Sequence, residues 1–305
     1  MKSVAVIGHV CKDVVGDDFM PGSGVFYGCC AFFSLGQTYN ILTKHNEQDA
    51  KYFQTLKDNP HCQQMIVTNE KFPTTTFQNS YIEGKSDQRV SIVKDRSALF
   101  IEDDLKLLPK NDEGVAIVTP LIGEFPPELF QKLVELGYQT IVTDVQGFTR
   151  KLSPEGTVMQ GDWEEKEKFL PLITVLKIDN KESMVLFGTP DLRKGSVELL
   201  KRGVKIVVAT SAEGVLFSSY PESSQPFSEE KCVFEWREWK QPKTAECRTG
   251  RGDTTLFSFV HFFLLRKLPF ATACTLTASI TEAKMQVMGP LTPSVVEDVK
   301  KITSW

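Results

Sequence analysis

No stretch of this 305-residue chain approaches the ~18 consecutive apolar residues that a helix needs to cross a bilayer, so no membrane role is expected. An excess of charge of one sign is also missing. The 35 basic residues face 39 acidic ones, and a net charge of -4 gives no electrostatic footprint for nucleic acid. The seven cysteines are an odd set without a C-x-x-C pair, and the four histidines show no metal-ligand spacing, so neither a disulfide framework nor a zinc site is expected. Met1 to Gly8 is too short and too soon interrupted to be a signal peptide, and a cytoplasmic location is expected. There is no internal repeat and no low-complexity tract. With 41% hydrophobic and 24% charged residues, the composition excludes disorder.

What is present is an α/β rhythm. Val4-Ala5-Val6-Ile7-Gly8 is a β-branched run closed by glycine, as in a strand buried on both faces. Similar runs lie at Val115–Val118, Thr140–Thr143, Ile173–Leu176 and Lys205–Val208. Helical patterns separate them, such as Pro127 to Leu136, ended by Gly137, and Leu192 to Arg202, ended by Gly203. The tail from Thr254 is mostly helical, with breaks at Leu268-Pro269 and Gly289-Pro290. Tyr220 to Glu230, rich in Ser, Pro and Glu, is the one soft linker candidate and precedes a strand at Cys232 to Trp239.

From Phe72 to Ile101 the rhythm changes to short alternating strands, which predicts a small antiparallel sheet. A strand-only insertion of ~30 residues cannot bury both of its faces, so it is expected to cover a cleft as a lid.

Three motif matches are decoys. Gly84-Lys85-Ser86 has the ending of a P-loop, but Asn79 stands where its first glycine belongs, and a hairpin turn is the better reading. The glycines of Gly22-x-Gly24-x-x-x-Gly28 are separated from the first strand, where a dinucleotide loop must follow directly. Arg251-Gly252-Asp253 spells an integrin tripeptide by chance. The informative stretch is Thr249-Gly250-Arg251-Gly252-Asp253-Thr254, which leads straight into an apolar helix. Two glycines there allow main-chain amides to converge at a helix N-terminus and form an anion hole. A lone Gly-x-Gly-Asp can equally be a capped helix start.

Thr249, Gly250, Gly252, Asp253 and Thr254 resemble the signature T-G-A-G-D-[TS] of the PfkB, or ribokinase-like, carbohydrate kinases, with Arg251 in the place of alanine. The resemblance runs through the chain. Asp13 follows the first strand, and Gly22 to Gly36 leads into a helix. Asp144 to Gly147 is similar to the mid-chain aspartate strand. Lys177 to Glu182 is similar to N-x-x-E, with Asp179 for asparagine, and Val207 to Gly214 to the nucleotide strand, with Ala212 for a glycine.

The resemblance implies a single domain over residues 1–305: a three-layer α/β/α sandwich with a mostly parallel sheet and a β lid at about 12–24 and 72–101. It implies ATP-dependent phosphoryl transfer to a hydroxyl of a small sugar, polyol or nucleoside. Asp253 would be the base, with Gly250, Arg251 and Gly252 completing the catalytic turn. Asp13, Gly22, Ser23, Gly24, Tyr27 and Asp144 would bind the acceptor. Lys177, Asp179, Thr210, Gly214 and Thr249 would bind the nucleotide, and Glu182 would act on Mg²⁺ through water. Tyr27 replaces the usual sugar-binding asparagine, a feature similar to the inositol kinase branch. Cys247 stands where many members carry an aspartate near a monovalent-cation site, so potassium dependence is not expected. A homodimer formed through the lid is compatible with the family. A non-catalytic nucleotide or metabolite sensor of the same fold is the alternative. An oxidoreductase would rest on the Gly22 decoy alone.

Overall fold

In the computed structural model, which describes residues 3–68, 71–82, 85–221, 226–244, 246–303 and 305, the β-branched runs form one large sheet. Gly84 of the expected hairpin turn and residues 222–225 of the linker candidate lie outside the described residues. The strands in chain order are β1 (Val4–Ile7), β2 (Cys11–Val15), β3 (Asp18–Gly22), β4 (Tyr39–Thr43), β5 (Cys62–Val67), β6 (Thr75–Ile82) and β7 (Lys85–Asp95). They continue with β8 (Val115–Val118), β9 (Thr140–Asp144), β10 (Arg150–Leu152), β11 (Val158–Gln160), β12 (Val175–Asp179), β13 (Ile206–Thr210), β14 (Gly214–Ser219) and β15 (Val233–Glu238).

Nine strands make the main sheet in the order β15-β14-β13-β12-β9-β8-β1-β4-β5. The pairs β13–β14 and β14–β15 are antiparallel, and the others are parallel. Period-two alternation divides each inner strand between two apolar layers. Val4, Val6, Val115 and Ile117 face one cluster, while Ala5, Ile7, Ala116 and Val118 face the other. Helices Gly24–Ser34, Arg251–Phe259, Phe270–Lys284 and Pro293–Thr303 cover the first face. Helices Leu129–Glu135, Asn180–Phe187 and Leu192–Lys201 cover the second, which gives the expected three layers.

The chain builds outward from β1 to β4 and β5, then returns to β8 and continues the other way. That reversal leaves a crevice at the carboxyl ends of β1 and β8, where open α/β sheets bind ligands.

Above it lies a four-stranded lid in the order β3-β2-β6-β7. Its two hairpins are antiparallel as expected, but β2 and β6 pair in parallel, with Asp13 opposite Phe77. The parallel pair arises because β2 follows β1 and β6 follows β5, so both rise from the same end of a parallel sheet. The lid is also shorter than expected. It ends at Asp95, and Phe100 is already buried in the main core. The short β10–β11 hairpin, which carried no sequence signal, is tied to the lid by the Ile92–Thr157 bridge.

Candidate active site

The helix Arg251–Phe259 starts at Gly250, whose φ of 80° is left-handed. A Cβ on Gly250 would stand 2.2 Å from Tyr27 Cδ1, so both the conformation and the contact demand glycine. No side chain among the described residues caps this helix, and the amides of its first turn lie at the cavity wall. The first turn expected to form an anion hole, Gly250 to Asp253, thus stands in the cavity wall.

Asp253 stands in that first turn and lines a cavity of about 410 Å³. Its Oδ1 lies 3.1 Å from where a Cβ on Gly24 would stand, so Gly24 opens the space that the carboxylate uses. Burial raises the Asp253 carboxyl above the ordinary aspartate value, opposed by the charges of Lys177 and Arg150.

One end of the cavity is cationic, with Lys177, Lys181, Arg248 and Arg251 in its wall. Lys177 reaches in from β12, and its Cε lies 2.7 Å from the position a Cβ on Gly252 would take. Burial works against the Lys177 charge, but Glu182, Asp144, Asp179 and Asp253 outweigh it and raise its pKa. The Arg251 guanidinium lies against the Trp239 ring, 5.4 Å from its centroid. Burial and the neighbouring Arg248 lower the Arg251 pKa to about 10.

Asp179 and Glu182 form a capping box on the helix Asn180–Phe187: Glu182 N donates to Asp179 Oδ1 at 2.9 Å, and Asp179 N donates to Glu182 Oε2 at 2.8 Å. Burial and the adjacent Asp179 raise Glu182 to about 8, against the pull of Lys177 at 3.8 Å. Among the described residues no cluster of three candidate metal ligands exists. Buried Glu182 and half-buried Asp179 still suit Mg²⁺, which takes one or two carboxylates from a protein and fills its shell with phosphate oxygen and water.

The opposite end is built by the lid. Asn79 Nδ2 donates to Asp13 Oδ1 at 3.0 Å, and Ser91 Oγ donates to Asn79 Oδ1 at 2.6 Å. All three line the cavity with Tyr27 and Phe77. Ser23, at φ 105°, holds an unusual backbone conformation at the cavity edge while its Oγ accepts from Phe26 N.

Of the residues singled out from sequence, Asp13, Ser23, Gly24, Tyr27, Lys177, Asp179, Glu182, Thr210 and Thr249 to Asp253 line this one cavity. Three do not. Asp144 is buried below it, its Oδ1 accepting from Gln146 N, and burial raises its carboxyl to about 7; Gln146 and Arg150 line the wall in its stead. Gly22 makes room for Asp13, whose Oδ2 would lie 2.6 Å from an added Cβ. Gly214 packs against β15, with Arg237 O 2.4 Å from its Cβ position. Sequence reasoning did not select Asn79, Ser91, Val158, Gln160 or Arg248. Alternation along β6, which puts Asn79 on the face of Phe77, was the available signal for the first. No helix among the described residues is long and apolar enough to cross a membrane.

Neither a protein-family model nor a curated protein matches the chain. Solved structures do. One is described as a pyrophosphate-dependent kinase in the ribokinase family in a sulfate complex. It is 30% identical, with a TM-score of 0.82, and the match covers 96% of this chain and 99% of that one. A second, also 30% identical with a TM-score of 0.82, is such a kinase complexed with a pyrophosphate analog and myo-inositol; the match covers 97% and 99% of the two chains. A third, at 28% identity and TM-score 0.81 over 99% and 100%, is described as a pyrophosphate-dependent myo-inositol-1 kinase converted into a myo-inositol-3 kinase by replacing one asparagine and one serine with leucine.

Proposed function

The chain belongs to the ribokinase family of carbohydrate kinases, and from that premise we propose that it transfers a phosphoryl group from inorganic pyrophosphate to a ring hydroxyl of a cyclic polyol of the myo-inositol kind. Pyrophosphate here takes the place of the ATP expected from the motifs. The observation that carries this reading is the shape of the cationic end. The cavity wall ends at Thr210, Arg248 and Arg251. Beyond it the 211–214 turn is stitched to the following strand. Trp239 N donates to Glu213 O at 3.1 Å, while Trp239 Nε1 and Gln241 Nε2 donate to Ala212 O at 3.0 and 3.2 Å. Among the described residues, the cavity lining stops at this seam, which favours a donor as small as two phosphates over a nucleotide.

In this reading the acceptor rests between the lid and Asp253. Asp13 accepts hydrogen bonds from its hydroxyls, and the ring packs on Tyr27 and Phe77. One hydroxyl oxygen attacks the nearer phosphorus of pyrophosphate, the bridging P–O bond breaks, and inorganic phosphate leaves. Asp253 receives the hydroxyl proton, late because an alcohol is a weak acid. The amides of residues 251–253 receive the oxygens of the moving phosphoryl group, and Lys177, Arg248 and Arg251 offset the donor's charge. Asp179 and Glu182 would hold a magnesium ion, which when bound neutralises charge between the phosphates. The lid pair Asn79–Ser91 meets the same wall as Asp13 and matches in residue type the two positions that switch product in the inositol kinase described above, which favours a regiochemical role. Val15 and Met20, exposed on the cavity side of the lid, are compatible with the lid-mediated homodimer.

The test is phosphate release and product formation with pyrophosphate or ATP as donor against a panel of polyols, sugars and nucleosides. Turnover of myo-inositol with pyrophosphate is expected to exceed turnover with ATP by tenfold or more, roughly the discrimination that one lost set of site contacts gives. Preference for ATP would show that the seam opens and would return the donor to a nucleotide.

A further inference from the structure

Lys284 ends the helix Phe270–Lys284 with its side chain fully buried. Among the described residues no carboxylate pairs with it, and its ammonium donates only to main-chain carbonyls, Cys247 O at 2.7 Å and Thr249 O. These carbonyls belong to the turn that runs into Gly250 and the first-turn amides. The Tyr27 ring, which packs under Gly250, also lies 5.8 Å from Lys284 Nζ.

A buried cation without a counter-ion is costly, and an apolar side chain of the same length would serve packing better. Carbonyl oxygens such as these two are also donors that a weakly hydrated monovalent cation accepts as part of its coordination shell. The lysine itself is rigidly placed. Its helix packs on Arg251–Phe259, with Thr255 and Thr281 hydroxyls 3.2 Å apart, and the helix C-terminus favours a positive charge.

We propose that Lys284 is a positioning residue that acts as a tethered cation. Its ammonium fills a carbonyl site that would otherwise need a free monovalent ion, and it fixes the 247–250 turn so that the amides of residues 251–253 face the phosphoryl group. The inference rests on the kinase reading for its effect on rate, but not for its effect on ion binding. Burial also lowers the lysine's pKa to about 8, with the charges of Cys247 and Asp253 acting in the opposite direction.

Four measurements test it. Wild-type rates in about 0.1 M potassium chloride or choline chloride, at equal ionic strength, are expected to agree within about twofold; a tenfold rise in potassium overturns the proposal. Lys284→Met, checked for folding by circular dichroism, is expected to lose about 10²-fold in kcat with little change in acceptor KM. Lys284→Ala, which vacates the site, is expected to regain about tenfold with potassium, ammonium or methylammonium and nothing with choline. A folded variant of either kind that keeps the wild-type rate in choline, or a folded Lys284→Ala that loses it with no rescue by any small cation, overturns the proposal. The fourth measurement needs no substrate: potassium should raise the melting temperature of Lys284→Ala above its value in choline and leave the wild type unmoved. No difference between the two proteins refutes the carbonyl site. If that difference is found while no donor supports turnover, the pyrophosphate reading fails and the tethered cation stands.

Discussion

In the proposed reaction Asp253 is the one carboxylate that acts as base, and its value in that role depends on its surroundings. It is held among Lys177, Arg150 and the first-turn amides, so removing its charge should affect the reacting hydroxyl more than the donor. Asp253→Asn is expected to cut kcat by about 10²–10⁴-fold while pyrophosphate binding by calorimetry changes little. The pH profile follows from the same shift. The ionised form is the base, so activity is present above the folded pKa and lost as pH falls through it. Since burial raises that pKa above 3.8, the acid limb of kcat/KM should lie above the ordinary aspartate range. A limb at or below that range would show a carboxylate that is solvated in the working enzyme. Arg251, disfavoured by its place at a helix N-terminus, is explained by an anion: Arg251→Ala should raise the pyrophosphate KM by about tenfold or more and leave the acceptor KM nearly unchanged.

At the scale of elements, the lid and the catalytic turn divide the work. Asn79 and Ser91 stand directly opposite each other on β6 and β7 and touch Asp13 through one hydrogen-bond chain. Leucine at both positions removes that chain and should redirect phosphorylation to a different ring hydroxyl, readable by NMR of the product, with stability within about 1 kcal/mol of wild type. An unchanged product would confine the pair to lid packing. In the catalytic turn, Gly250→Ala forces a side chain into left-handed backbone and into the Tyr27 ring. A loss of about 1–3 kcal/mol by denaturant titration is expected, together with loss of activity. The parallel strands were legible because burial on both faces writes continuous β-branched runs, as in Val4–Ile7 and Ile206–Thr210. The catalytic turn was legible because a left-handed start and a close approach both demand glycine. Asn79, Ser91, Val158 and Gln160 were not, because nothing local to a half-exposed strand says which face meets a cavity formed by distant segments. Asp144 differs in depth: it lies buried under the cavity wall, within reach of the charges of Lys177, Asp253 and Arg150, and sequence does not encode how deep a strand-end aspartate sits.

For the whole molecule, function follows from where the sheet reverses direction. The carboxyl ends of β12 and β13, the segments that follow β1, β8 and β9, and the first turn of one helix line a single cavity, roofed by the lid at one end and cationic at the other. Hydrogen bonds join the 211–214 turn to Trp239–Gln241 beside that far end, and the proposed donor assignment depends on them. The most direct measurement is ³¹P NMR of the purified protein with myo-inositol, Mg²⁺ and either pyrophosphate or ATP. The expected result is conversion of pyrophosphate into one phosphomonoester and one inorganic phosphate per turnover, abolished in Asp253→Asn, with ATP left largely intact. Steady conversion of ATP to ADP and the same ester, with pyrophosphate inert, would contradict it.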